Sequence, residues 1–468
     1  MSPSRPNILI LMTDQQRADC LGCAGHPVLK TPHMDRLARE GTRFSHFCTV
    51  SPICMPARAG FISGLYPHTH GMWHNAGQLP EHEESLFTRL RAAGYRTCHI
   101  GKSHYYEHRR HPNFPAEAQH LRDHEPYMHA RGFDDVHETT GPWSTTCTDS
   151  YMTDHWRDLG LLEAYRDDYE ERGSHRGVAV WPSPLPEDQF ADSYVGRRAV
   201  EYLEGYSHDQ PFCLFVGFGG PHEPWDPPGR YATMYDPALC PAPIRPNGPG
   251  PWVPLDVADA FVAGTNPGLT DEVIARVRAA YYGKITLIDR WFGEILGVLQ
   301  RQRRLDDTLV VFWSDHGEMA GDHGRLHKSV FHESALRVPL ILRWPGRIPS
   351  GETRQELAST VDLFPTVLQA AGVEVGDRHQ GQSLWTLFED RDAEFRTAAL
   401  SEVAPAPWGH LCVRTRHWKY AMTRQGRGMM LYNLETDPDE HTNLIGHPEF
   451  RGAEMEMRDR MLVLLAGG

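Results

Sequence analysis

The sequence predicts an α/β protein with a mostly parallel sheet flanked by helices, followed by a smaller C-terminal α+β subdomain. Short runs rich in Ile, Leu, Val and Phe end abruptly in polar residues, helical patterns separate these runs, and the pattern changes in the tail. Alternation of buried strands with helices is typical of a sheet covered on both faces. Because 468 residues are too many for one simple core, we expect a large domain over residues 1–375 and a subdomain over residues 376–468.

Each predicted element follows from its local pattern. Buried strands are predicted over residues 7–13, 96–100, 211–218 and 308–314. A helix opens at Thr31-Pro32 and closes at Gly41. Further helices are predicted over residues 83–93, 271–300 and 357–371. Residues 219–269, rich in Pro and Gly, are expected to form a long surface loop that covers a site. In the tail, strands are predicted over residues 411–414, 418–422 and 430–433, before a helix that begins near residue 449.

Composition argues against some classes of partner. A formal net charge of −14 makes nucleic acid and anionic membranes poor partners, so an anionic substrate must be drawn by a local cationic pocket. No secretory signal pattern precedes the first strand, no apolar run approaches membrane length, and nine scattered cysteines do not resemble a disulfide framework. We therefore expect a cytoplasmic protein. Cys20 and Cys23 form a lone Cys-x-x-Cys, which leaves open a zinc or redox role or simple packing.

The segment around Cys54 predicts a short helix with a cysteine at its mouth. Pro56 suits a first helical turn, and Gly64 is a natural end for the helix. Unpaired N–H groups and the helix dipole favour an anion at that position. Cys54 is therefore either a nucleophile with a lowered pKa or a small buried residue, and the local pattern alone leaves both open.

Polar side chains follow each of the four buried strands. Asp14, Lys102, His222 and Asp315 lie at or just past the predicted strand ends. Because ligands of open parallel sheets bind beyond the carboxyl ends of the strands, we expect these side chains to share one pocket. Asp14-Gln15 and Asp315-His316 together offer two carboxylates, an amide oxygen and an imidazole. Taken singly each carboxylate is a helix-cap candidate, but the set suits a divalent cation.

The motif Cys54-x-Pro56-x-Arg58, followed by a short helix and Ser-Gly, resembles the signature of the sulfatases, with Ala57 in place of the usual serine. Other family motifs follow in order: Gly-Lys-x-His at Lys102 and His104, Pro-His-x-Pro at His222, and a lysine beyond the second Asp pair at Lys328. Gln15 and His316 depart from the commonest sulfatase pattern and resemble the branch of choline sulfatases and phosphonate monoester hydrolases. The tail from Leu431 is also typical of sulfatase C-termini.

The resemblance implies an alkaline-phosphatase-like fold and hydrolysis of a sulfate ester to an alcohol and inorganic sulfate. It implies that a formylglycine-generating enzyme converts Cys54 to formylglycine, whose hydrated aldehyde is the nucleophile. It also implies one divalent metal, Mn²⁺ or Ca²⁺, bound by Asp14, Gln15, Cys54, Asp315 and His316. The implied catalytic residues are Cys54, Arg58, Lys102, His104, His222 and Lys328, and Asn75 is expected to contact the substrate.

The resemblance also assigns roles. His222, helped by Lys328, protonates the departing alcohol, and His104 takes a proton from the nucleophile so that sulfate leaves. Arg58 holds the hydrate, and Lys102 and Lys328 stabilise the oxyanion. Arg17 and Asp19 are expected to support the metal ligands without binding the metal themselves. His68 and His70 have a two-residue spacing that can indicate a metal site, but we expect them to shape a loop outside this one.

Two alternatives remain at this stage. The same machinery can hydrolyse a phosphonate monoester or phosphodiester, because these esters and sulfate monoesters all carry one negative charge. An unmodified relative can instead bind metal and oxyanion as a sensor or scaffold. The expected partners are a small-molecule sulfate ester and the maturation enzyme, and a homo-oligomer is left open. Selectivity for the alcohol part of the substrate is expected to lie in the loop over residues 219–269 and in the C-terminal tail.

Overall fold

An eight-stranded mixed sheet is the centre of the protein. The computed structural model describes residues 5–108, 119–174, 178–247, 269–403 and 409–466. The strands of the large sheet are Asn7–Asp14 (β1), Thr42–Cys48 (β2), Arg96–Gly101 (β3), Asp135–Glu138 (β4), Phe212–Pro221 (β5), Thr308–Ser314 (β6), Leu340–Arg343 (β7) and Glu352–Ser359 (β8). Their order is β4-β3-β5-β1-β6-β7-β2-β8.

The sheet is mostly parallel, as predicted. Strands β4, β3, β5, β1 and β6 run in one direction, and β2 and β8 are parallel to each other. Within the described part of the large sheet, only β7 is antiparallel to both of its neighbours. Every residue of β5 and β6 is buried, which explains why these central strands are continuous apolar runs.

Helices cover both faces of this sheet. They are Pro32–Glu40 (α1), Cys54–Ser63 (α2), Pro67–His70 (α3), Leu86–Ala92 (α4), Glu125–Ala130 (α5), Tyr151–Asp158 (α6), Leu162–Ser174 (α7), Ala191–Glu204 (α8), Asp271–Arg301 (α9), Glu333–Leu336 (α10), Leu363–Ala370 (α11), Trp385–Glu389 (α12) and Arg451–Ala466 (α13). One core packs α2, α4 and α11 against the sheet, and the other packs α1, α8 and α9. Along β1, Ile8 and Ile10 face the first core, whereas Leu9 and Leu11 face the second.

The C-terminal part forms a small antiparallel sheet, as predicted. Its strands are Ala398–Val403 (β9), His410–Thr415 (β10), Trp418–Thr423 (β11) and Gly428–Asn433 (β12), in the order β12-β11-β10-β9. Helix α13 packs on this sheet through Met457 and Met461. Strand β9 was not predicted from the sequence. The division of the chain at residues 375 and 376 stays a prediction.

Two predicted helices need correction. The helix predicted over residues 357–371 is wrong at its start, because strand β8 continues to Ser359 and α11 begins at Leu363. Strand β8 lies at the edge of the sheet and contains many polar residues. Because part of the strand is exposed, its sequence has no continuous apolar run that would identify it as a strand. The helix predicted over residues 83–93 begins later, at Leu86, because Ser85 forms a capping box with Thr88.

The predicted long loop after β5 is partly described. Strand β5 continues to Pro221, and two short 3₁₀ turns, Gly229–Thr233 and Pro237–Leu239, follow. The rest of that predicted loop, from residue 248 to residue 268, lies outside the described residues. Within the described chain, no helix combines the length and the apolar character needed to cross a bilayer.

Candidate active site

Helix α2 brings Cys54 to the carboxyl edge of the large sheet. Ile53 before it is extended, Cys54 is the first helical residue, and Gly64 ends the helix with a left-handed φ of 71°. This confirms the predicted helix with Cys54 at its N-terminus. The backbone N–H of Met55 donates to Asn75 Oδ1 at 3.0 Å, so Asn75 caps this helix from a neighbouring loop. The Cys54 side chain is buried.

Arg58, one helical turn further on, lies between two buried carboxylates. Its Nη2 donates to Asp14 Oδ2 at 2.8 Å, and its Nε donates to Asp315 Oδ2 at 2.7 Å. Its Nη1 donates to the backbone carbonyl of Lys102 at 2.8 Å. The side chains of Arg58, Asp14 and Asp315 are all fully buried. Arg58 therefore joins the ends of β1, β3 and β6, and its predicted contact with a hydrated residue 54 stays a prediction.

Four predicted residues form a cluster that has the donor set of a metal site. Atoms of Asp14, Cys54, Asp315 and His316 all lie within 4.8 Å of one another, and all four residues are buried. Cys54 Sγ lies 3.1 Å from His316 Nε2 and 3.7 Å from Asp14 Oδ1. Nδ1 of His316 donates to the Gly317 carbonyl at 3.0 Å, so Nε2 is the ring nitrogen that faces the cluster. Two carboxylates and this imidazole fit a divalent cation.

Cationic side chains set the charge of this cluster. Lys102 Nζ pairs with Asp14 Oδ2. Burial would raise the pKa of the Asp14 carboxyl, but the charges of Lys102 and Arg58 hold it well below its ordinary value. Burial would likewise raise the pKa of the Cys54 thiol, but Lys328, Lys102 and His316 lower it well below its ordinary value. The site therefore stabilises negative charge at residue 54.

Lys328 contacts both His222 and Gln15. Lys328 Nζ lies 2.6 Å from His222 Nε2 and also donates to Gln15 Oε1. His222 Nδ1 lies 2.7 Å from the backbone carbonyl of Glu223, to which it donates. Because Lys328 can only donate, His222 Nε2 accepts the shared hydrogen bond. The two basic groups therefore form one hydrogen-bonded pair, with Lys328 as the donor.

His104 lies in the loop that follows β3, with a left-handed φ of 55°. It is buried, and its side chain lies close enough to that of Cys54 for each to influence the pKa of the other. Burial lowers the pKa of His104 to about 3, and the nearby charge of Lys102 acts in the same direction. A neutral imidazole in contact with residue 54 can accept a proton from it.

The remaining candidates lie outside the cluster. Arg17 pairs with Asp19 at 2.8 Å and with Asp322 at 2.7 Å, and its backbone N–H donates to the same Tyr281 hydroxyl that donates to the Gln15 carbonyl. His68 pairs with Glu402, and His70 accepts from the backbone of Met72. Neither histidine joins a metal-like cluster in the described part of the chain, and neither does Cys20 or Cys23.

Two carboxylates of the site were missed by the sequence reasoning. Glu223 and Glu318 both accept hydrogen bonds from Gln15 Nε2. Each belongs to a motif that was already singled out, Pro-His-Glu-Pro and Ser-Asp-His-Gly-Glu. Their proximity to Gln15 depends on long-range folding, which a local motif does not encode.

Comparisons with known proteins identify the family of the whole chain. The sulfatase family model matches residues 6–373, and the model described as the C-terminal part of N-sulphoglucosamine sulphohydrolase matches residues 321–466. An arylsulfatase of Clostridium perfringens is 29% identical over 455 residues, covering 96% of this chain and 92% of that protein. A choline-sulfatase of Rhizobium meliloti is 30% identical over 473 residues, covering 96% and 84%.

The fold also matches solved structures. The crystal structure of the phosphonate monoester hydrolase of Agrobacterium radiobacter superposes with a TM-score of 0.82 at 24% identity, covering 99% of this chain and 96% of that one. This likeness establishes the alkaline-phosphatase-like fold that the sequence predicts. With a family match over most of its length and sulfatase relatives that cover nearly all of it, the chain belongs to the sulfatase family and is a sulfuric ester hydrolase.

Proposed function

We propose that this enzyme hydrolyses its sulfate ester with a formylglycine at position 54 and one divalent cation. The observation that carries the proposal is the convergence of Asp14, Asp315 and His316 on Cys54 at the N-terminus of α2. The Cys-x-Pro-x-Arg motif around residue 54 supports its conversion by a formylglycine-generating enzyme. We assign cleavage of the ester O–S bond, with water consumed and alcohol and sulfate released, to this cluster.

The residues that would hold the cation are Asp14, Gln15, residue 54, Asp315 and His316. The imidazole of His316 favours Mn²⁺ over Ca²⁺, which prefers an all-oxygen set. When bound, the cation supplies Lewis-acid polarisation of the sulfuryl oxygens, and the hydrate of formylglycine supplies the attacking hydroxyl. Arg58 holds the two carboxylates in place, because it donates to both of them inside the protein.

Cationic groups around residue 54 bind the sulfuryl group. Burial would raise the pKa of the Cys54 thiol, but the charges of Lys328 and Lys102 each lower it. We assign them to the sulfuryl oxygens, on which negative charge accumulates as the ester bond breaks. Asn75, bonded to the N-terminus of α2 beside Cys54, is proposed to contact the same anion through its amide nitrogen.

The pair of Lys328 and His222 is proposed to protonate the departing alcohol oxygen. The contact of 2.6 Å between Lys328 Nζ and His222 Nε2 supports the transfer of one proton between the two groups. His222 keeps its Nδ1–H on the Glu223 carbonyl, so Nε2 is the atom that takes part in the transfer. An alkoxide leaving group needs this proton, whereas a nitrophenolate does not.

His104 is proposed to act after the ester bond has broken. It contacts residue 54 and is neutral at physiological pH, because burial lowers its pKa to about 3. It can therefore take the proton from the second hydroxyl of residue 54, so that the aldehyde re-forms and sulfate leaves. A serine at this position has no second hydroxyl and would stay sulfated.

We further propose that the enzyme works in the cytoplasm. All nine cysteines are free, including several that lie near the surface, which suits a reducing compartment. The partners proposed are a small-molecule sulfate ester and the maturation enzyme. The division into a catalytic domain over residues 1–375 and a subdomain over residues 376–468 is part of the same proposal.

Co-expression with a formylglycine-generating enzyme tests the proposal. The peptide that contains residue 54 should lose its thiol, react with a hydrazide, and be detected by mass spectrometry, and activity should rise with the converted fraction. Cys54→Ser should lose turnover, whereas Cys147→Ser, at a half-buried cysteine outside the cluster, should keep it. Full activity in protein that carries only the thiol would overturn the mechanism.

The substrate panel should contain sulfate esters together with a phosphonate monoester and a phosphodiester. These esters share a single negative charge, and the Lys328–His222 pair serves all their leaving groups in the same way. We expect sulfate esters to have the highest kcat/KM. A higher value for the phosphonate monoester would establish the alternative reaction as the main one.

A further inference from the structure

We propose that Glu318 and Glu223 are positioning residues that hold the Gln15 carboxamide with its oxygen toward Lys328 and the metal cluster. This inference rests on the proposed function, in which Gln15 is a metal ligand through that oxygen. A carboxamide has a donor end and an acceptor end of nearly equal size, so only its neighbours decide which end faces the site. In this protein, neighbouring groups at both the nitrogen and the oxygen of the Gln15 amide fix its orientation.

The donor end of Gln15 faces two groups that can only accept. Nε2 donates to Glu223 Oε2 at 2.8 Å and to Glu318 Oε2. The acceptor end faces Lys328 Nζ, which can only donate. A flipped amide would place its oxygen against two carboxylates and its nitrogen against an ammonium group. The charges of Glu223, Glu318 and Lys328 therefore determine the orientation of the amide.

The backbone of Gln15 is fixed as well. Its φ of 73° is in the left-handed region that a glutamine rarely adopts. Its N–H donates to Asp315 Oδ1 at 3.0 Å, and its carbonyl accepts from the Tyr281 hydroxyl at 2.6 Å. These two hydrogen bonds fix the backbone of Gln15, and the two glutamates fix the orientation of its side-chain amide.

Glu318 is the more rigid of the two glutamates. Its side chain is fully buried, and Oε1 accepts from the backbone N–H groups of Ala320 at 2.8 Å and His327 at 2.7 Å. Glu223 is half-buried, and its carboxylate also lies 3.1 Å from His222 Nδ1 and 3.3 Å from His327 Nδ1. We therefore expect Glu318 to contribute more than Glu223 to the orientation of Gln15.

The direction of the oxygen matters because Gln15 lies beside the cluster. Gln15 directly follows Asp14, and its backbone N–H donates to Asp315 Oδ1 at 3.0 Å. Its side-chain oxygen accepts from Lys328 with one lone pair, and the second lone pair is available to a cation. A residue that fixes the orientation of a metal ligand typically changes metal affinity by about 10–100-fold.

Titration of metal-stripped, full-length protein with Mn²⁺ in a calorimeter tests the inference. Glu318→Gln replaces an acceptor by a donor at constant shape, and we expect its Mn²⁺ dissociation constant to rise by about 10–100-fold. Glu223→Gln should show a smaller rise in the Mn²⁺ dissociation constant, and it tests the same inference if Glu318→Gln fails to fold. Glu107→Gln is the matched control, because that carboxylate accepts from the backbone of Gly77 and should leave the constant unchanged.

The decisive measurement repeats Glu318→Gln in a Gln15→Ala background. If Glu318 acts through the amide, the second substitution should leave the dissociation constant of Gln15→Ala unchanged. An effect of equal size in both backgrounds would show that Glu318 acts directly through its charge and would overturn the inference, as would an unchanged constant in Glu318→Gln alone. Wild-type protein that takes up no stoichiometric Mn²⁺ would instead overturn the proposed metal site and this inference with it.

Discussion

Replacing Arg58 by methionine should destabilise the protein strongly, and more at neutral pH than in mild acid. The guanidinium pairs with Asp14 at 2.8 Å and with Asp315 at 2.7 Å, and all three side chains are fully buried. Methionine fills part of the space but leaves two carboxylates near each other without the charge between them. Removing one partner of a buried ion pair costs about 3–5 kcal/mol. We expect a loss of that size in the free energy of unfolding at pH 7.

The pH dependence of this loss follows from Asp14. In the wild-type protein burial would raise the Asp14 pKa, but Lys102 and Arg58 hold it below its ordinary value. Its stabilising contribution is therefore present above the unfolded pKa of about 3.9 and is lost only at lower pH. Without Arg58, less positive charge opposes the effect of burial, so the Asp14 pKa rises. Protonation then relieves the buried charge, so the deficit of Arg58→Met should shrink as the pH falls from about 7 toward the unfolded pKa of about 3.9.

Urea unfolding followed by tryptophan fluorescence across this pH range measures both effects. Arg58→Lys keeps a charge without the planar fork and should show an intermediate loss, which helps if the methionine variant fails to fold. Arg460→Met is the control, because Arg460 and Glu456 form an exposed pair at 2.9 Å whose loss should cost less than about 1 kcal/mol. A deficit of Arg58→Met that is equally small, or that stays the same at each pH, would refute the reasoning.

Three further variants separate the proposed roles. His222→Ala should slow hydrolysis of alkyl sulfates by about 10²–10⁴-fold and of nitrophenyl sulfate far less, and equal losses in kcat/KM would contradict its role as acid. His104→Ala should release a burst of alcohol before a slow steady state in rapid-quench experiments, whereas a linear time course would place the slow step elsewhere. Asp315→Ala should lose both turnover and bound metal after dialysis, measured by inductively coupled plasma mass spectrometry, because a ligand and a charge are removed together. Retained metal and rate would show that Asp315 is not a ligand.

The parts of the fold that the sequence predicted well are those buried on both faces. Strands β1, β3, β5 and β6 are central and almost entirely buried, and β1, β5 and β6 each contain a continuous apolar run. Strands β4 and β8 lie at the two edges, where polar residues interrupt the pattern, and β7 has only four residues. Short or one-sided strands carry too little periodicity to be separated from loops or helices. The wrong start of the helix predicted from residue 357 has this cause.

The candidate site was predictable where one rule of topology applied. Parallel strands end at the same edge of a sheet, so the residues after β1, β3, β5 and β6 had to lie near one another. The hydrogen bonds of Gln15 were not predictable in this way, because Glu223 and Glu318 are 208 and 303 residues away along the chain. Which end of an amide faces a site depends on such distant neighbours, and a motif contains no information about them.

The charges of the site explain why a divalent cation is expected in so acidic a protein. Four carboxylates lie in or beside the cluster, on Asp14, Asp315, Glu223 and Glu318, against three permanent cations on Arg58, Lys102 and Lys328. These seven groups sum to one negative charge, in a chain whose net charge is −14. A bound divalent cation changes the sum to one positive charge. Because salt screens exposed charges beyond about 8 Å, an approaching sulfate ester responds mainly to this local balance, which the cation makes attractive.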